Sequence, residues 1–385
     1  VIFTQTVALL VDAYRELNAR KLFWVTLALS GVVVLVMAAS GINERGITFL
    51  WWTMDFIPVN STLLKPSVFY KSMFSNLGIS LWLSWVAAIL ALISTAGVIP
   101  DLVSGGAIET VLSKPISRTR LFLTKYFMGL LFVALQVTVF SLGSFLVFGL
   151  RAGLWEPGLF LAVPIVVLFF SYLYCVCALV GLLTRSTITA LLATLVFWFV
   201  LFVLNSGDAI LTQFRVQFEL QIEGEKSRIA LMERNTARIL RAQREREGQE
   251  VEGWEATEEE LLNANPFLQR NRERIGTLED DLKELAFWAD LVVRVKTVLP
   301  KTTETIGLLE RNLIDLSEIP DFDTQDRAAT PELDDSEIVA DPQATARAVQ
   351  ERLRSRPVSW IVGTSVGFEL VVIGLCCLIF SRRDF

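Results

Sequence analysis

The side chains that carry most enzymatic chemistry are either missing from this chain or placed where chemistry is hard to do. There is no histidine. A His–Asp catalytic triad and a His-ligated zinc, haem or non-haem iron site are therefore excluded within it. The four cysteines, Cys175, Cys177, Cys376 and Cys377, all lie in strongly apolar runs. Cys175 and Cys177 are two residues apart, which turns them to opposite faces of a helix. Small apolar filler is a better reading than a metal pair, and a copper or zinc pathway has little to be built from. No G-x-x-x-x-G-K-[ST] phosphate loop occurs, so the chain does not bind ATP in that manner. One ionisable group stands out: Glu369, in the middle of an apolar run. A charge there is expensive and marks function by default. It can be protonated, line a substrate path or bond across a dimer seam. Equally open is a neutral, locally bonded Glu that locks helix packing. Gln136 and Tyr172 are the polar candidates for its partner.

The elements around these residues follow from where the apolar residues cluster. Of 385 residues, 53% are hydrophobic and 20% charged. Six stretches approach the ~20 apolar residues that cross a bilayer as a helix: 22–39, 79–99, 121–150, 159–183, 188–204 and 360–380. Backbone groups in lipid must bond internally, and the alternation of a membrane barrel is missing from these runs. The expected fold class is an all-α polytopic membrane protein with six transmembrane helices. The first run follows Arg15, Arg20 and Lys21 and resembles a signal peptide. Its apolar core is longer than a signal core, so a retained span is expected.

Charge divides the chain. Asn205–Pro357 carries 21 Lys/Arg and 32 Asp/Glu, a net of −11 within an overall −6. The remainder is basic, and its basic residues fall in alternate short segments. These hold Arg15, Arg20 and Lys21; Lys114, Arg118, Arg120 and Lys125; Arg185; and Arg382 and Arg383. Short Lys/Arg-rich loops stay on the cytoplasmic side. The expectation is a multi-pass protein of the bacterial inner membrane with both termini cytoplasmic and the acidic insert extracytoplasmic. The parts are then an interfacial helix (1–21), spans one to five (22–204), the insert (205–357), and a sixth span with a short tail (358–385).

Residues 3–21 place Val7, Leu10, Val11, Tyr14 and Leu17 on one face, with Asp12, Arg15, Glu16 and Arg20 mostly opposite. This suits a helix lying in the membrane interface. The loop 100–125 reads PDLVSGGAIETVLSKPISRTRLFLTK. Gly105–Gly106 break one helix, Pro115 stops a short amphipathic turn, and Ser117 is the expected N-cap of the next helix. From the residues alone two readings stay open. The segment is a rigid lever pushed by a cytoplasmic partner, or it is an anchor whose Lys114, Arg118 and Arg120 touch lipid phosphates.

The run from Gly106 through Ile108-Glu109, Leu112, Lys114-Pro115 and Arg118 to Lys125 resembles the cytoplasmic loop of type-2 ABC exporter permeases. It is most similar to the six-span branch that includes the permease for nitrous oxide reductase copper-site maturation. The resemblance extends over 3–204 and the last span, and does not cover 205–357. It implies a coupling helix on which Glu109, Lys114, Pro115, Arg118 and Arg120 contact a dimer of separate ABC ATPase subunits. ATP and Mg would be bound by that partner, and this chain would carry no cofactor and act as a homodimer. The alternative is a mechanotransmission or scaffold protein whose outer domain is moved by ATP hydrolysis without substrate crossing.

Within the insert, 214–223 alternates apolar and polar residues, which predicts a half-buried strand. A charged helix is expected over 226–247. Thr257 and Glu260 make a capping box, and 267–299 reads as a long helix ended by Pro300, with a last piece to Leu316. Together these predict a mainly helical domain with a minor β component and a helical hairpin. Ala286–Leu299, with Phe287 and Trp288, is placed on the outer membrane face, and the resemblance supports that. Pro320–Pro342 is an acidic linker. The insert has no Cys/His cluster, EF-hand pattern or basic groove, so neither metal nor nucleic acid is expected. Either it is a solvated cap, or it docks an extracytoplasmic protein or gates a substrate.

Overall fold

Each apolar run is long enough to satisfy its own backbone as a helix, and each does so. In the computed structural model, helices α1 (Lys21–Ala39), α2 (Pro66–Val103), α3 (Arg118–Ala152), α4 (Pro157–Thr184) and α5 (Thr187–Arg246) follow in order. Then come α6 (Glu258–Ala264), α7 (Pro266–Val298), α8 (Thr302–Leu313), α9 (Pro342–Arg354) and α10 (Ser359–Arg382). The first five and α10 are long and apolar enough to cross a membrane, and each contains one of the six predicted spans. The structure describes residues 21–54, 61, 64–104, 117–251, 253–314 and 342–382. The amphipathic segment 3–21, the centre of loop 100–125 and the linker 320–342 lie outside those residues or at their edge.

Two units divide the chain. The first comprises Val1–Val203, Thr297–Ala329 and Pro357–Phe385. At its centre is α4, which packs against α3, α10, α8 and the end of α2. Its Cys175 and Cys177 are both buried, as is Cys376 on α10. Rings tie α3 to α4: Tyr126 stacks on Tyr174 at 5.1 Å, and Tyr174 stacks on Phe170 at 5.6 Å. Gly129 permits this approach, since a Cβ there would lie 2.6 Å from the Tyr174 ring. Small residues at such seams let helices pack closely in lipid. Within α2, the turns of Phe74–Ala87 are widened to π geometry. A three-stranded antiparallel sheet, β1 (Ser40–Asn43), β2 (Gly46–Phe49) and β3 (Trp52–Met54), precedes α2 and adds to the elements expected from sequence. The helix α8 buries Thr305, Leu308, Leu309 and Leu313 and packs against α4. Phe287 and Trp288, by contrast, lie on α7 and stay exposed.

The second unit comprises Leu204–Lys296 and Thr330–Arg356. Here the expected strand 214–223 is helix throughout, part of α5. A chain already helical gains one hydrogen bond for each residue it adds, whereas a strand here would need a partner. Arg215 and Glu219 pair at i,i+4, N···O 3.1 Å, as a helix allows. The predicted hairpin is present. It joins α5 to α7 through α6, whose capping box is formed by Thr257 and Glu260. The Thr257 backbone N–H donates to Glu260 at 3.0 Å and holds that carboxyl below its usual range.

The hairpin has a heptad seam. On α7, Leu268, Ile275, Ala289 and Lys296 are buried, seven or fourteen residues apart. On α5, Asp208, Ile222, Ile229 and Thr236 are buried at the same intervals. A 3.5-residue repeat keeps one seam facing its partner, as in a coiled coil. Ile222, Ile229, Leu268 and Ile275 form one apolar cluster. Cross-pairs Lys226–Glu279 at 2.6 Å and Arg272–Glu233 at 2.7 Å fix the antiparallel register.

The seam ends in charge. Asp208 bonds Lys296 at 2.7 Å, and Arg356 grips the same carboxylate through two bonds of 2.6 and 2.9 Å. Asp208 and Lys296 are 3% exposed. Arg352 adds a 2.8 Å pair to Glu219. Removing one partner from a buried ion group leaves uncompensated charge and typically costs about 3–5 kcal/mol. Asp208→Asn should therefore speed hydrogen exchange across 208–296 strongly while leaving α3 and α4 as protected as before. Unchanged exchange across the hairpin would show that the triad does not hold it.

Candidate functional site

Residues expected to meet an ATPase sit around the start of α3. Of these, Glu109, Lys114 and Pro115 lie outside the described residues. Ser117 caps α3 as expected: its Oγ accepts the Arg120 N–H at 3.3 Å, with extended backbone at φ −66°, ψ 139°. Arg118 and Arg120 occupy the first turn and are half-buried. Cations at a helix N-terminus oppose the macrodipole by about 0.3–1 kcal/mol each. Helix stability therefore does not explain two arginines there.

Two turns further along α3, the structure places Tyr126 against Glu369. The Tyr126 hydroxyl donates to Glu369 Oε1 at 2.9 Å, and Ser171 Oγ donates to Oε2 at 2.8 Å. Glu369 is 8% exposed. Its two oxygens are thus met from α3 and α4 while it rides on α10. This favours the packing role over the dimer seam, because both partners belong to the same chain.

The partners differ from those expected. Gln136 is buried elsewhere, with no partner for its Nε2 among the described residues. It lines a small void with Ser30, Val133 and Phe170. Tyr172 is fully buried beside the cluster, with Thr305, Ser365 and Glu369 near it, but its hydroxyl makes no hydrogen bond to Glu369. Adjacent residues on a helix point about 100° apart, so Ser171 faces Glu369 where Tyr172 does not. Sequence reasoning does not find Tyr126, which stands beside a basic run and reads as the edge of a span. It does not find the Asp208–Lys296–Arg356 group either. The signal for that group is the spacing 268–275–282–289–296, which carries Lys296 into an apolar seam.

Among the described residues, no three His, Cys, Asp or Glu side chains converge as metal ligands. The arrangement ties α3, α4 and α10 together through one carboxyl group. No protein-family model, curated protein or solved structure matches the chain.

Glu369→Gln keeps an acceptor for Tyr126 or Ser171, whereas Glu369→Ala leaves both hydroxyls without one. An unmet buried polar group costs about 1–3 kcal/mol. Thermal unfolding in detergent should rank native and Glu369→Gln close together and Glu369→Ala clearly lower. Equal midpoints for all three would remove the packing role.

Proposed function

We propose that the chain is the transmembrane permease subunit of an ATP-driven exporter. It acts as a homodimer, coupled through the loop between α2 and α3 to separate ATPase subunits. The observation that carries the proposal is the loop itself. A sequence that predicts a Pro-bounded amphipathic turn leads into a Ser117-capped helix whose first turn bears Arg118 and Arg120 against the dipole. That pattern resembles the coupling loop of a type-2 exporter. The missing phosphate loop gives the chain a need for an outside energy source.

A mechanical route follows from the bonds. A push at the start of α3 reaches Tyr126 after eight residues, about 12 Å along the helix. Tyr126 passes it to Glu369 on α10, and Ser171 keeps α4 in step. A stiff helix with a hydrogen-bonded crossing suits transmission of displacement without chemistry.

One observation supports mechanotransmission as a second reading. The insert is a coiled-coil hairpin whose seam ends in the Asp208–Lys296–Arg356 triad. Arg356 lies three residues before α10 in the chain. A hairpin tied by ions to the residues leading into a moving helix is suited to being driven, and no solute need cross for that.

Two experiments test the proposal. Glu109→Lys should abolish co-purification of an ATPase with the chain, with Pro115→Ala weakening it, while Glu156→Gln does not. Retention of the ATPase by Glu109→Lys would refute coupling through this loop. Gln243→Cys, at an exposed site on α5, should react with a membrane-impermeant maleimide in intact cells. Protection of the introduced thiol until lysis would reverse the orientation.

A further inference from the structure

The turn between β2 and β3 carries the most exposed aromatic side chains among the described residues. Trp51 is 87% exposed and Trp52 76%, and Phe49 and Leu50 beside them are exposed too. No ionisable side chain interrupts Phe49–Trp52. Turns are ordinarily built from Gly, Asn, Asp and Ser, so four large apolar residues in a row need a reason. Leu50 adds to that need, with φ 57°. This left-handed region is unfavourable for a bulky side chain, and glycine would occupy it without steric cost. The Leu50 side chain is 53% exposed, so burial in the chain's own core does not offset the strain.

The register shows where the turn sits. Ser40 of β1 pairs with Phe49, and Phe49 pairs with Trp52. The Leu50 N–H donates to the carbonyl of Ala39, the last residue of α1, at 2.7 Å. The aromatic turn is therefore level with the point where the apolar helix α1 ends. Two other apolar helices reach the same level. The Tyr70 hydroxyl, from the first turns of α2, donates to the Ser40 carbonyl at 3.2 Å. A Cβ at Gly41 would lie 3.5 Å from the guanidinium of Arg151, at the end of α3. Trp155 follows four residues after Arg151 and is exposed as well.

The other end of the sheet is polar. Asn43-Glu44-Arg45-Gly46 joins β1 to β2, and Asn43 Oδ1 accepts the N–H groups of Arg45 and Gly46, each at 3.1 Å. Three residue steps along β1 separate this turn from the aromatic one by about 10 Å. The sheet thus has a charged end remote from α1 and an aromatic end beside it. Trp and Tyr gather where a span meets water, because each ring has an apolar body and a polar N–H or O–H. If α1 crosses a bilayer, lipid is already present at that level. A protein partner would have to displace headgroups to reach the same rings.

We propose that Phe49–Trp52 is a membrane-interface anchor. Trp51 and Trp52 lie among the headgroups and first acyl carbons of the leaflet reached by the C-terminal end of α1. Lipid contact offsets the left-handed backbone at Leu50, and the Leu50–Ala39 hydrogen bond ties the depth of the turn to the depth of α1. The inference holds for either orientation of the chain and does not rest on an exporter role.

The test is fluorine NMR of the full chain in phosphatidylcholine nanodiscs, with fluorotryptophan at every Trp. Trp51→Phe assigns the Trp51 resonance, and Trp51→Tyr does so if that variant does not fold. A trifluoromethyl tag on Arg45→Cys, read against the native chain treated in the same way, reports on the charged turn; Glu44→Cys replaces it if needed. Two relaxation agents are compared: a phosphatidylcholine with a doxyl group high on its acyl chain, and a soluble gadolinium chelate. The ratio of attenuation by the doxyl lipid to attenuation by the chelate should be severalfold higher at Trp51 than at the tag. A ratio no higher at Trp51 would overturn the proposal, since the aromatic turn would then be as wet as the charged one.

Discussion

An ionisable side chain is kept among apolar helices only where its polar atoms are met, and the packing of α3, α4 and α10 turns on that constraint at Glu369. The carboxylate has one oxygen on Tyr126 and the other on Ser171. Three helices that share only apolar surface could slide in lipid, since tails are as apolar as leucine. Two directional bonds to one carboxylate remove that freedom. The stacked rings Tyr126, Tyr174 and Phe170, with Gly129 beneath them, then define how closely α3 and α4 approach. The same constraint operates in the other unit at Asp208. There the seam of a coiled coil ends on a buried charge answered by Lys296 and Arg356. Both sites exchange hydrophobic burial for geometric definition, which is the best-attested use of buried polar groups.

What the residues reveal in advance follows from how far each signal reaches. The six spans are legible because lipid forces every backbone group to bond within its own segment, so apolar length alone predicts a helix. The Ser117 cap and the Thr257–Glu260 box are legible because they are local. The strand reading of 214–223 fails for the same physical reason that makes the spans easy. Alternation describes a surface only if the backbone is extended, and this segment enters from a formed helix. On that helix the alternating residues spiral, so Val216 and Ile222 are buried while Phe214 is half exposed. The partners of Glu369 are 198 and 243 residues away in sequence. Only tertiary packing decides which of Ser171 and Tyr172 reaches it. The heptad in α7 is legible in Leu268, Ile275 and Leu282, but residue type hides its continuation into Ala289 and Lys296.

The missing histidines and the unreactive setting of the cysteines connect to what the fold does contain. Cys175, Cys177 and Cys376 fill space around α4 rather than face solvent. The polar groups that are buried serve position: Glu369 fixes a crossing, Trp82 bonds Ser30 between α2 and α1 at 3.0 Å, and Lys301 bonds Thr364 at the start of α10. A molecule that invests its buried polarity in helix crossings holds those crossings in a defined geometry.

Ser84, like Gln136, departs from that rule. Its hydroxyl is buried and unmet among the described residues, on the segment of α2 where the helix is widened. A wider turn loosens the i→i−4 ladder and costs stability that an ordinary α-helix of the same residues would retain. The sequence FSNLGISLWLSWVA holds no proline that would force the distortion. The widening is therefore set by what packs around it. Ser75, Ser80, Ser84 and Trp85 of this segment line one cavity together with Phe169, Trp198, Phe202 and Glu310. The widened segment of α2 is thus the part of that helix that faces the cavity.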